Sequence, residues 1–255
     1  MRSILRASLF GFFLFIGISC ESYFAPDDRE QSPLRVVSVY PAMNATDIPI
    51  DAPMRIRFNK HLDAGYFSTS AIDLRSGNSS KWTMSYYDPL RMELVIWTSS
   101  SMLPNTVWGL RLDEDVRALD GSWLRAQQLT LFRTGSEKQY VPVYAQKTYF
   151  SDVKPIFDTH CVSCHSNGAF ANLDLASVPD LVRTAINVPS AHWPDMVQIA
   201  PDRPGNSYLV YKLVDNPYIS GRVMPRALDD GEPATTLSPK EKRTIMDWIL
   251  SGALF

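Results

Sequence analysis

The chain has 255 residues, with 25 Lys and Arg set against 27 Asp and Glu for a net charge of −2. Without a basic excess to neutralise phosphates, nucleic acid is excluded as the expected partner. A 45% hydrophobic content suffices for real cores, the length allows two domains, and eighteen prolines predict many loops and edges.

The first twenty residues, MRSILRASLFGFFLFIGISC, place Arg2 and Arg6 ahead of an apolar run from Leu9 to Ser19. A charged start before an apolar run of that length predicts an export signal over residues 1–19. The run is shorter than the roughly 20 apolar residues a membrane span needs. Cys20 closes the run, and the arrangement resembles a bacterial lipoprotein signal, in which Cys20 would become the lipidated first residue. Gly17 departs from that pattern, where a leucine-like residue is usual. The competing reading is ordinary cleavage, which would leave Cys20 as an odd thiol. The polar, Pro-containing residues 20–33 read as a tether. The expected location is the cell envelope, periplasmic or on the outer surface, with a membrane contact through lipid on Cys20.

Residues 34–135 contain seven runs that predict strands: LRVVSVY, MRIRFNK, AIDLRS, WTMSYY, MELVIWT, TVWGLRL and QLTLFRT. The second is the clearest, because Met54, Ile56 and Phe58 alternate with Arg55, Arg57 and Asn59, one face buried and one wet. Turn signals such as DAG, SGNSS, YDP and LDG separate the runs, and short strands so spaced predict a β-sandwich. Trp82, Trp97, Trp108 and Trp123 are available for its core. The stretch VVSVYPAMNATDIPIDAPMRIRFNKHLD and the closing LTLFRTG resemble the first and last parts of a bacterial immunoglobulin-like domain. That resemblance implies a fold and little about activity.

Residues 136–147 read as a linker, after which the texture turns helical. In TYFSDVKPIFDTHC, Phe150, Val153, Ile156 and Phe157 recur at helical spacing. LASVPDLVRTAI and GNSYLVYKLV are two further short helical candidates. In LSPKEKRTIMDWILSGALF, Ser238 is a natural N-cap, Pro239 suits the first helical position and Glu241 completes a capping box. Ile245, Met246, Trp248 and Ile249 would form one apolar face, and Gly252 a stop. The expected architecture is therefore multidomain: an all-β sandwich over 34–135 and an all-α domain over 148–255.

Two of the three cysteines and two of the four histidines fall within DTHCVSCHSNG. CVSCH has the Cys-x-x-Cys-His spacing of c-type haem attachment. On one helical turn Cys161 and Cys164 share a face, so both thiols can reach the two vinyl groups of one porphyrin. His165 then follows as proximal iron ligand. A structural zinc site would want a second ligand pair, and no other cysteine exists outside the leader. A thioredoxin-like pair needs a βαβ setting, and a disulfide across two residues would be strained. These alternatives stay open beside the haem reading.

The motif order over 148–255 resembles a class I cytochrome c domain. CVSCHSNGAFANLDLAS, APDRPGNSYLVYKL, GRVMP and LSPKEKRTIMDWILSGA together are similar to a subfamily found in multidomain bacterial envelope proteins. The resemblance implies one covalent haem c, with the first and last helices packed beside it through Phe157 and Trp248. It also implies Met224 of GRVMP as the sixth iron ligand, in a loop that Gly221 tightens and Pro225 stiffens. Met196 and His192 are weaker rivals, Met246 reads as core, and neither His160 nor His61 is expected to ligate iron. Arg222 and Arg226 could pair with haem propionates or stand in a solvated loop. Better-known members have a proline soon after the motif whose carbonyl accepts from the proximal imidazole, and here none precedes Pro179. Some other acceptor is expected.

The functional expectation is a single-haem, His/Met-ligated electron carrier that needs separate redox donor and acceptor proteins. The alternatives are a haem enzyme or gas sensor with an open distal position, and an envelope binding module in which the sandwich carries recognition.

Overall fold

The alternation of Met54, Ile56 and Phe58 is realised in a strand whose three apolar side chains are all buried. A computed structural model describes residues 32–168, 170–226 and 236–255. The expected export signal, with Arg2, Arg6 and the lipidation candidate Cys20, lies outside the described residues, as does most of the tether.

Among the described residues nine strands form two sheets. They are β1 Val36–Tyr40, β2 Ala45–Ile48, β3 Met54–Phe58, β4 Ile72–Ser76, β5 Ser79–Lys81, β6 Thr83–Asp88, β7 Glu93–Thr98, β8 Val107–Leu112 and β9 Gln128–Thr134. One sheet runs β1-β3-β7-β6 and the other β2-β9-β8-β4-β5. All pairs are antiparallel except β2 with β9. The all-β sandwich expected from residue 34 is therefore present. Of the four tryptophans expected in its core, Trp108 is buried, whereas Trp82 is 87% exposed and Trp123 is also exposed. Trp82 directly precedes the edge strand β6 and meets water rather than the opposite sheet.

The C-terminal part is helical: α1 Lys154–His160, α2 Val178–Thr184, α3 Tyr208–Lys212 and α4 Pro239–Leu250. A π-helical turn over Tyr149–Val153 leads into α1. At α4 the Ser238 hydroxyl accepts from the Glu241 N–H while the Glu241 carboxylate accepts from the Ser238 N–H. Gly252 at φ 83° ends the helix.

Residues 33–255 form one compact unit. The sandwich core is completed from the C-terminal part by Met196, Tyr208, Tyr211 and Ile219. Conversely, Met246 and Leu250 of α4 pack on Tyr86 and Val95 of the sandwich. The single apolar face expected on α4 is in fact two. Ile245, Trp248 and Ile249 enter the helical core, and Met246 and Leu250 cover the outer side of β6 and β7. Between the two parts, residues 136–147 are held at both ends. Gln139 and Tyr140 donate their N–H groups to Asp51, and the Lys147 N–H donates to Ser251 Oγ.

Candidate functional site

The Cys-x-x-Cys-His segment forms the turn that leaves α1. The N–H groups of Cys161 and Val162 both donate to the Phe157 carbonyl, at 2.8 and 2.9 Å, closing the helix. The Cys161 carbonyl then accepts from Cys164 at 3.1 Å and from His165 at 2.8 Å. These i+3 and i+4 bonds make one helical turn of residues 161–165. Both thiols are free and half-buried. Burial pushes the Cys161 thiol up to about 12, with the neighbouring Cys164 adding to the shift. Cys161 and Val162 pack on the helical core, beside Phe157 and Trp248. Those two rings meet edge-to-face at 6.1 Å, so the expected contact between first and last helices is made.

His165 Nδ1 is buried without a hydrogen-bond partner. Burial lowers the pKa of the imidazole, and the nearby carbonyls of Phe170 and Leu173 act in the opposite sense. These carbonyls belong to the loop after the motif, where the sequence offers no proline. Asp174 shapes that loop: one carboxylate oxygen accepts from the Asn167 N–H at 2.8 Å and the other from the Ala176 N–H at 3.1 Å. The Asp174 N–H donates to Thr184 Oγ1 on α2, and the Leu175 N–H returns to the His165 carbonyl. Asp174 was not singled out from the sequence, since a carboxylate that ties main-chain N–H groups carries no motif of its own.

Met224 is half-buried, and its N–H donates to the Lys212 carbonyl at the end of α3, at 2.7 Å. Among the described hydrogen bonds none joins Met224 to the 161–165 turn. Of the rivals, Met196 is buried in the sandwich core and His192 is exposed in a loop. Met246 is core. His160 Nε2 stands 3.3 Å from Glu241 Oε1, tying the end of α1 to the start of α4. His61 is buried beside the Tyr87 hydroxyl. Arg226 is exposed. Among the described residues no group of three or more His, Cys, Asp or Glu is set to hold a metal ion, and no helix is long and apolar enough to cross a membrane.

Residues 30–134 match the bacterial Ig-like domain family. The sandwich is thus a bacterial Ig-like domain, and the match covers less than half of the chain. No curated protein matches. Among solved structures, the N-terminal part of the bacterial S-layer protein SbsC is 10% identical over 47% of this chain and 27% of that one, with a TM-score of 0.33. The present chain thus spans about a quarter of that S-layer fragment. The copper resistance protein PcoC from Escherichia coli is 14% identical over 39% of this chain and 98% of that one, with a TM-score of 0.31. CopC from Methylosinus trichosporium OB3b is 14% identical over 42% and 99%, with a TM-score of 0.32.

A concavity of about 570 Å³ lies where the sandwich meets the 190s loop. Its walls include Tyr66, Trp193, Asp63, Asp195 and Asn206. Arg117 lies 4.5 Å over the Tyr66 ring and pairs with Asp63.

Proposed function

We propose that this protein is a single-haem c-type cytochrome of the cell envelope, with a class I cytochrome c-like helical domain. Cys161 and Cys164 would carry the haem, and His165 and Met224 would hold its iron. The observation that carries the reading is the helical turn 161–165, which sets two free thiols three residues apart and directly before a histidine.

The residues present fit the group. Covalent attachment needs two unpaired thiols on one face, and Cys161 and Cys164 are unpaired on one turn. A proximal imidazole donates its second nitrogen to an acceptor that fixes the ring. His165 has a buried, unsatisfied Nδ1, with the Phe170 and Leu173 carbonyls nearby. The apolar wall of Phe157, Leu173 and Leu175 would exclude water from one side. When bound, haem would supply a one-electron redox centre, and a thioether ligand would favour its reduced state. Separate donor and acceptor proteins would exchange electrons with it. Lipid on Cys20 would hold the protein to a membrane.

Expression in a host competent for cytochrome maturation tests the reading. One covalent haem per chain is expected by intact mass, and none in the Cys161→Ala, Cys164→Ala double variant. The oxidised wild type is expected to show the weak far-red absorption of an iron–thioether bond, which Met224→Ala abolishes. Absence of covalent haem sinks the proposal. A high-spin wild type that binds CO rapidly favours the sensor or enzyme alternative.

Recognition by the sandwich is a second reading, favoured by the cleft between Tyr66 and Trp193 with Asp195 and Asn206 on its wall. Aromatic faces beside polar side chains suit a polysaccharide. Retardation in polysaccharide-containing gels that is lost on Trp193→Ala would support it, and unretarded migration would count against it.

A further inference from the structure

The segment that carries Met224 is folded around one side chain. Lys212 Nζ donates to the Ser220 carbonyl at 2.8 Å and to the Arg222 carbonyl at 2.5 Å. The Lys212 carbonyl in turn accepts the Met224 N–H at 2.7 Å. One residue therefore satisfies three main-chain groups within five positions. An ammonium offers three donors from a single point, and bonds from a charged donor are the stronger kind. Two carbonyls separated by one residue can converge on that point only if the chain turns sharply between them. Gly221 supplies the turn at φ 76°, where a Cβ would be strained.

Lys212 is itself well fixed. It ends α3, whose Tyr208 and Tyr211 lie in the sandwich core and whose Leu209 and Val210 lie in the helical core. The loop side is less well packed. A cavity of about 250 Å³ lies against it, lined by Lys212, Asn216, Gly221, Arg222 and Val223. Asn216 Nδ2 is buried without a partner at the same place. Bonds from Lys212, with one from the Tyr208 hydroxyl to the Ser220 carbonyl at 3.4 Å, tie residues 220–224 to α3.

We infer that Lys212 is the positioning residue for Met224. It would hold the loop so that the thioether stays at the iron. This rests on the reading of Met224 as an iron ligand. Thioether sulfur is a weak ligand, so its retention depends on how firmly the chain behind it is held.

The test uses holoprotein from a maturation-competent host. Lys212→Leu keeps an apolar stem and removes the donors, whereas Lys212→Arg restores a charged donor, for which the cavity leaves room. In the leucine variant, loss of more than half of the far-red absorption and a several-fold gain in CO binding are expected. The arginine variant is expected to keep most of that absorption. A leucine variant with full absorption overturns the inference and leaves the Met224 reading standing. An arginine variant as impaired as the leucine one overturns it too. A wild type without the absorption overturns the Met224 reading and the inference with it. If the leucine variant yields no holoprotein, Lys212→Gln replaces it: absorption weaker than wild type supports the inference, and equal absorption overturns it.

Discussion

Arg243 on α4 reaches Asp88 at the end of β6, with Nη1 2.9 Å from Oδ2 of a carboxylate that is fully buried. The same guanidinium forms an ion pair with Asp247, Nε 2.8 Å from Oδ1, and donates from Nη2 to the Tyr86 hydroxyl at 3.4 Å. Burial raises the Asp88 pKa, and Arg243 is the main group that counters it. Removing one partner of a buried pair leaves a charge without compensation, which costs about 3–5 kcal/mol. Arg243→Leu is therefore expected to destabilise the protein by about 3 kcal/mol or more in urea unfolding. Adding Asp88→Asn should recover part of the loss, and a purely additive double variant would contradict the pairing.

His61 gives a pH dependence. Its side chain is buried, its Nδ1 lies 3.3 Å from the Tyr87 hydroxyl, and its ring meets Tyr211 edge-on at 5.5 Å. Burial lowers its pKa from 6.5 to about 4. Between these values the unfolded chain binds a proton that the folded protein refuses. The His61 contribution is thus intact above pH 6.5 and is lost as the pH falls toward 4. The slope reaches about 1.4 kcal/mol per pH unit. Unfolding midpoints measured from pH 7 to 4 should fall more steeply in the wild type than in His61→Gln.

Gly205 lies at a close approach of the C-terminal part to the sandwich. A Cβ there would lie 2.7 Å from the Ala64 Cβ and 3.0 Å from the Tyr87 Cβ. Neither neighbour is the end of a flexible side chain, so the turn over Pro204–Asn206 would have to move. Gly205→Ala is expected to lower stability by about 1–3 kcal/mol, the usual range for overpacking. A midpoint equal to that of the wild type would show that the junction yields freely.

The sandwich was largely legible because half-buried strands write a period of two into the chain, as Met54, Ile56 and Phe58 do. β2 and β5 were not legible. β2 pairs with β9 only at Ala45 and Ile48, and β5 is the polar Ser79–Lys81 that reads as a turn. The capping box at Ser238 marked the start of α4, because capping is local chemistry. What Met246 and Leu250 face was hidden, since periodicity shows that a side chain is buried and not which element buries it. At the candidate site the cysteines and His165 stand together in sequence. Lys212 acts through main-chain carbonyls, which any residue supplies, so nothing in the composition of GRVMP points to it.

Tyr211 closes the interior of the sandwich from a helix that begins more than seventy residues after the last strand ends. A gene fragment that stopped near residue 140 would encode a β-structure with a hole where that ring belongs and with Tyr86 and Val95 turned to water. Such a fragment would tend to aggregate.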